Sequence, residues 1–575
     1  MGPCRADHSN DKNKGEGGVA QVIDKSMAET ATPGETKTMT GGEALVQSLI
    51  QEGIDTIFGL PGVQLDGAFD ALYHAQDQVR VIHTRHEQAT AYMADGYARS
   101  TGRIGTCLVV PGPGLLNASA ALSTAYACNS PVLCVSGQIP AELIGFGRGM
   151  LHEIPNQLQM ISSVTKHAAR AMTPTDVPAL VQDAFHHLRS GRSRPVEIEV
   201  PQDTLLSVDQ IALLPPAGPR ERFAGDPDLL AKAAKLLGEA QRPLIWSGGG
   251  VLIGEAWEQL QHLAEMLQAP VVMTNNGKGA LSDRSYLAQN TVAGMQLVAD
   301  ADVVLAVGTR FVEPSTSTWG LGPGRTVIQL DIDPDEIGRN YPVTIGIEAD
   351  AQAGLASLAE QTGKHNRNRT SREEELTSLK QAVREKLDSI SPQAELSHAI
   401  RNELPDEGIF VSEMTQIGYW SYIGYPVYKP RTFLAPGYQG TLGYGFPTSL
   451  GVKVGNPDTP VVSVNGDGGF GFALNELATM AQHNIATVVI VFDDGAYGNV
   501  RRIQRDQFDG RLIASNLQNP DFAKVAEAFG VNGRKAEGAK ELQTQLREAI
   551  RANEPALIHV PVDVMPNPWS TLGLR

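Results

Sequence analysis

The stretch Val464–Asn499, VNGDGGFGFALNELATMAQHNIATVVIVFDDGAYGN, reads as a strand end, a glycine-rich turn, a helical segment and a second buried strand. Gly466, Gly468 and Gly469 permit a tight turn and a close approach of backbone to phosphate. Asp467 stands between them, and a carboxylate beside a phosphate is repulsive unless a cation lies between the two. Mg2+ suits that place, because its oxygen ligands are commonly shared between carboxylates and substrate phosphates. Asp494 follows the next apolar run, IATVVIVF, and adjacent strand ends of a parallel sheet would bring it to Asp467 at a ligand crevice. A surface turn and a strand-end cap could carry the same residues, but the strand context and the second carboxylate favour the metal.

Working outward, helical and apolar-strand segments alternate from Gly42 onward, which is the rhythm of doubly wound α/β domains. RIGTCLVVPGPG (103–114) and SPVLCVSGQIP (130–140) are short buried strands flanked by Gly and Pro. QRPLIWSGGGV (241–251), ADVVLAVGTRF (301–311) and TVIQLDIDPDEIG (326–338) repeat the pattern in a second block. The expected fold is α/β, with three doubly wound parallel-sheet domains over 39–208, 226–360 and 395–562. A polar, Gly-rich tail over 1–38, a charged linker over 361–394 and a C-terminal tail over 563–575 complete the division.

The net charge of −17 argues against nucleic acid or an anionic membrane surface as a partner. No apolar run reaches the roughly 18 to 20 residues that span a bilayer. Cys4, Cys107, Cys128 and Cys134 form no CxxC pair, so they read as small core residues of a reducing compartment. A cytoplasmic protein is expected.

The Gly-Asp-Gly turn and the later acidic pair resemble the signature of the thiamine diphosphate-dependent enzymes. The resemblance implies Mg2+ on a cofactor diphosphate, held by Asp467, Asp494 and the Ala496 carbonyl, with Gly466, Gly468 and Gly469 as the diphosphate turn. The family commonly has Asn-Asn where this chain has Asp493 and Asp494. RHEQATAYMADGYAR (85–99) is similar to the stretch around the activating glutamate of the acetolactate synthase-like branch, which assigns that role to Glu87. VPGPGLLNASAAL (110–122), SGQIP (136–140) and TKH (165–167) continue the match in order. QGTLGYGFPTSLG (439–451) resembles the loop whose large apolar residue bends the cofactor, a place taken by Leu442.

The resemblance implies an N-terminal pyrimidine-binding, a central and a C-terminal diphosphate-binding domain. Glu87 of one subunit would serve the cofactor held by another, so a homodimer or homotetramer with its active site at the subunit interface is expected. Glu87 would exchange a proton with the cofactor's pyrimidine, and a pyruvate-like 2-oxo acid would be decarboxylated and ligated to a second carbonyl compound. The stretches that carry the match hold no paired His-His like that of the aldehyde-releasing decarboxylases, the chain's His186-His187 standing outside them, which tilts the reading toward carboligation. Gln138 is a catalytic candidate, and His152, Lys166 and His167 are pocket candidates. Asn499 and Ile503 fall where biosynthetic acetohydroxyacid enzymes have Met and a substrate-selecting Trp, and Leu151 and His152 also depart from that pattern. FAD is doubtful: AQNTVAGMQLVADADVV (288–304) lacks the His-Gly motif and RFVEPSTST (310–318) lacks a second Arg.

Three alternatives stand beside this reading. One is a thiamine diphosphate-dependent C–C lyase acting on a 2-hydroxyacyl thioester or a diketone. A second is a nicotinamide oxidoreductase using Ser247 to Gly250 as its phosphate loop. The third is a non-catalytic binding homologue.

Overall fold

The computed structural model describes residues 35–311 and 325–573. Cys4, nearly all of the tail and most of the stretch expected to lack a second Arg lie outside the described residues. Each of three domains is built on a six-stranded parallel sheet with helices packed on it. In the first, the strands follow the order Arg80–His83, Thr56–Gly59, Gly105–Val109, Val132–Gln138, Val196–Pro201, His167–Arg170. In the third, the order is Phe433–Leu434, Ile409–Ser412, Val461–Gly466, Val488–Asp493, Ala556–Pro561, Asn532–Lys535. Numbered along the chain within each domain, both orders are 2-1-3-4-6-5. The central sheet instead runs 3-2-1-4-5-6, from Ala288–Gln289 to Ile345–Glu348.

The strands are short apolar runs because helices cover both faces, so alternation is lost and Val and Ile fill both sides. Val132–Gln138 is buried at every position. Cys107 and Cys134 are opposite partners on adjacent strands, free and buried, as expected of core residues. A two-stranded antiparallel ribbon, Lys37–Thr40 with Val208–Ile211, joins the two ends of the first domain. The charged segment over 361–394 carries a 16-residue helix, Glu373–Asp388, whose Leu376, Val383 and Leu387 are buried.

The first and third domains meet through two helices, Glu87–Thr101 and Gly445–Gly455. A side chain at Gly96 would collide with the Thr448 carbonyl, and one at Gly451 with the Met93 carbonyl. Glycine is needed there because the two backbones touch. Tyr92 and Met93 share one buried cluster with Phe446 and Leu450. Among the described residues, no helix is long and apolar enough to cross a membrane.

Candidate functional site

Three neighbouring strands of the third sheet end at one edge, and an acidic residue closes or follows each. Ile409–Ser412 leads into Glu413, Val461–Gly466 into Asp467, and Val488–Asp493 into Asp494. Gly466 lies opposite Phe492 in the parallel register, which carries Asp467 and Asp494 to the same crevice. The chain changes direction across the sheet between the first two of these strands, and doubly wound sheets bind their ligands at such points. A cavity of ≈ 210 Å³ opens there, lined by Leu442, Gly466, Asp467, Gly468, Gly469, Asp494 and Ala496.

The electrostatics of this crevice favour a cation. Burial pushes Asp467 up to about 6, the Asn519 amide opposes this, and the charges of Asp494 and Asp493 raise it further. Asn519 Nδ2 bridges Asp467 Oδ2 (2.6 Å) and Asp493 Oδ1 (2.8 Å). The Ala496 amide also donates to Asp467 Oδ2 (3.1 Å). The bridge to Asn516 uses the Gly495 carbonyl and the Tyr497 amide, which leaves the Ala496 carbonyl outside that pairing. At Gly466 the nearest atom to an added Cβ is Thr415 Oγ1 at 3.4 Å, so the turn is open toward the cavity. A crowded set of oxygen donors beside a glycine turn fits a Mg2+ ion and the diphosphate it would bridge.

The Asp493–Asp494 departure has a local explanation. Asp493 Oδ2 pairs with His559 Nε2 at 3.0 Å, and its other oxygen is taken by Asn519 and by the Gly495 amide. It therefore faces its own strand neighbours, not a ligand. Asp494 lines the cavity, with Arg501 Nη2 at 3.6 Å from its carboxylate.

Sequence reasoning missed Glu413. This carboxyl is fully buried, and burial pushes it up to about 8 against the pull of the Gly443 and Tyr444 amides. Glu413 Oε1 accepts from the Gly443 amide at 2.5 Å, which ties the loop carrying Leu442 to the strand end. Among the described residues, Glu413 Oε2 and Asn465 Oδ1 are both buried acceptors without a partner, and both border the space that a side chain at Gly445 would fill. Protonation would turn Glu413 Oε2 from an unpaired acceptor into a donor, which agrees with the upward push of burial on this carboxyl. The signal was present: VSEM ends an apolar strand in a carboxylate, without the glycine turn that drew attention to Asp467.

In the first domain, Glu87 begins its helix, half-buried, and Oε2 accepts from Asn117 Nδ2 at 3.0 Å. Gly112, at φ 57°, lies against the His152 carbonyl, and Gly114 lies against the Glu87 Cγ. One glycine-proline turn thus separates His152 from Glu87. His152 Nδ1 stands 3.0 Å from Gln64 Oε1. Gln138 is buried and turns inward, its Nε2 donating to Glu199 Oε2 at 3.3 Å. Glu87, Gln138 and His152 are not among the described residues lining the Asp467 cavity of their own chain.

Lys166 and His167 do not line the Asp467 cavity and lie apart from Glu87. Lys166 Nζ caps a helix end through the His187 and Ser190 carbonyls (2.7 and 2.5 Å). His167 lies on an edge strand, its ring stacked on His187 at 3.9 Å and its Nε2 2.9 Å from Asp183. Asn499 lines the Asp467 cavity, Ile503 does not, and Leu151 is exposed near Gln64. A second cavity of ≈ 570 Å³ adjoins Gly248, Gly249, Gly250 and Gly308 at the reversal point of the central sheet.

Comparison with known proteins agrees with this geometry. Three family descriptions match in order: the "Thiamine pyrophosphate enzyme" N-terminal TPP binding domain over 39–160, its central domain over 230–358 and its C-terminal TPP binding domain over 413–560. A probable acetolactate synthase large subunit of Methanocaldococcus jannaschii is 36% identical over 550 residues, covering 91% of this chain and 92% of that protein. An acetolactate synthase of Arthrospira platensis is 33% identical, covering 92% and 94%. A probable 2-ketoarginine decarboxylase of Pseudomonas aeruginosa is 34% identical, covering 91% and 94%.

Proposed function

We propose, for a chain that belongs to the acetolactate synthase-like branch of the thiamine pyrophosphate enzyme family, the decarboxylation of a pyruvate-like 2-oxo acid followed by carboligation. The observation that carries this is the meeting of Asp467 and Asp494 at adjacent strand ends beside the glycine turn and Leu442. Bound thiamine diphosphate supplies an electron sink for the pair left when CO2 departs. Asp467, Asp494 and the Ala496 carbonyl hold Mg2+, and Gly466, Gly468 and Gly469 let the diphosphate approach the backbone. Leu442 props the cofactor from the loop that Glu413 anchors. Glu87 holds and returns a proton at the pyrimidine ring nitrogen.

Glu87 is not among the described residues lining the Asp467 cavity of its own chain, which supports a homodimeric or larger assembly in which each active site is shared. Exposed Phe146 and Leu151 in the first domain, and Phe472 and Val500 in the third, are the apolar surface such an assembly would cover. The relative named for 2-ketoarginine keeps the donor within the 2-oxo acids, so pyruvate and 2-ketoarginine belong in the same assay.

The test is to supply purified protein with each 2-oxo acid, thiamine diphosphate and Mg2+, following CO2 and acetolactate together. Both products from pyruvate, and neither in Glu87→Gln, are expected. CO2 without a ligated product would replace the carboligation reading by simple decarboxylation.

A further inference from the structure

One buried carboxylate lies outside the chemistry described so far and touches the backbone that presents Glu87. Glu476 is fully buried, in the segment that follows the Asp467 turn. Its two oxygens each lie 3.1 Å from the Arg85 amide nitrogen, and the His86 amide donates to the same group. Asn475 Nδ2 (3.0 Å) and Thr479 Oγ1 (2.5 Å) complete the set. Every partner is a donor. An ionised carboxylate is acceptor-only and suits all of them, whereas a glutamine would turn an NH2 toward donors.

The two amides immediately precede Glu87. Around them the turn is held again, by Thr84 Oγ1 on the His86 carbonyl (2.9 Å) and by Gln482 Oε1, which accepts from Arg85 Nη2 (2.9 Å). The glycine-lined helix pair and its apolar cluster join the first and third domains independently of Glu476. What Glu476 adds is the direction of the turn from which Glu87 projects.

We propose that Glu476 is a positioning residue for Glu87, fixing through the Arg85 and His86 amides the place from which Glu87 reaches a cofactor pyrimidine. This rests on the proposed role of Glu87. Misplacing a catalytic group by an ångström costs up to about 100-fold in rate, so a lost anchor here has a measurable effect.

Two measurements on Glu476→Gln test it. In the cofactor-free protein, amide hydrogen exchange over residues 83–90 is expected to accelerate about tenfold or more, with the rest of the first domain unchanged. In the cofactor-bound protein, exchange of the thiazolium C2 proton, read by NMR without any substrate, is expected to slow by about 10- to 100-fold. The double variant Glu87→Gln/Glu476→Gln should exchange no more slowly than Glu87→Gln alone, because both act through one group. Unchanged amide exchange, or C2 losses that multiply in the double variant, would overturn the positioning role. Glu476→Asp, which keeps the charge but shortens the arm, should recover part of the C2 rate, and a general fall in melting temperature with no such recovery would mark a structural role instead. If the wild type itself fails to accelerate C2 exchange over free cofactor, the role of Glu87 fails and this proposal with it.

Discussion

Asp493 and His559 pair across neighbouring strands at 3.0 Å, so one of the two carboxylates beside the proposed diphosphate site is engaged before any ligand arrives. Asp493→Asn therefore leaves Mg2+–thiamine diphosphate affinity within about threefold of wild type, since it changes a group that is already paired with His559 and is not among the described residues lining the cavity. Asp494→Ala, which removes a cavity-lining carboxylate, weakens it by about 100-fold. Titration calorimetry of both variants separates the two positions.

Metal binding should depend on pH through Asp467. Its carboxyl is raised to about 6 in the metal-free protein, by burial first and by Asp494 and Asp493 after the opposing Asn519 amide. Below that value a proton competes with the ion, so Mg2+ or Mn2+ affinity falls as pH falls, by up to about tenfold per pH unit. Above it, affinity levels off. Mn2+ binding followed by electron paramagnetic resonance between pH 5 and 8 reads this directly, and a flat profile would show that Asp467 is no ligand.

Glu413 predicts a slope of the opposite sense in stability. Its value moves from an ordinary 4.5 to about 8 on folding, through burial. The native state then holds a proton that the unfolded state has lost, so this contribution is fully present below about pH 4.5 and declines until about pH 8. The decline is at most about 1.4 kcal/mol per pH unit. Glu413→Gln, a non-titrating mimic of the neutral acid, removes this slope, and urea unfolding of the two proteins gives curves that lie together near pH 4.5 and diverge as pH rises, with the wild type losing stability.

Sharing of sites between subunits can be tested by mixing. Glu87→Gln and Asp467→Asn should each be inactive alone. A mixed dimer would join the intact Glu87 of one chain to the intact Asp467 of the other, restoring one site in two. Random reassociation of equal amounts then recovers roughly a quarter of wild-type activity. No recovery, in subunits shown to exchange, would place both residues in a single-chain site.

The features legible in the sequence were those whose signal is local. The Asp467 turn and the Asp494 strand end each announce themselves within a few residues, and the parallel register then brings them together. Partners at long separation were not legible. The pairing of His559 with Asp493 and of Glu476 with the Arg85 amide needs the fold to be known first, because nothing in IHVPVD or LNELAT marks a distant partner. Lys166 and His167 came from motif order alone, and the structure uses them at a helix end and an edge strand. The common strand order of the first and third sheets left no repeat in the sequence, since topology constrains where apolar runs fall and not which residues compose them.

The glycine-lined crossing of the first and third domains also bears on biosynthesis. Arg99 and Tyr444, which bond across it, are 345 residues apart. At about 5 to 20 residues per second, a ribosome needs roughly 20 to 70 seconds to bring the second after the first. Throughout that interval the nascent first domain holds out a helix face rich in Ala and Gly, whose covering has yet to be made. Its solubility in those seconds depends on whatever shields that face, so expression yield should respond to chaperone supply and translation speed more than the finished protein's stability would suggest.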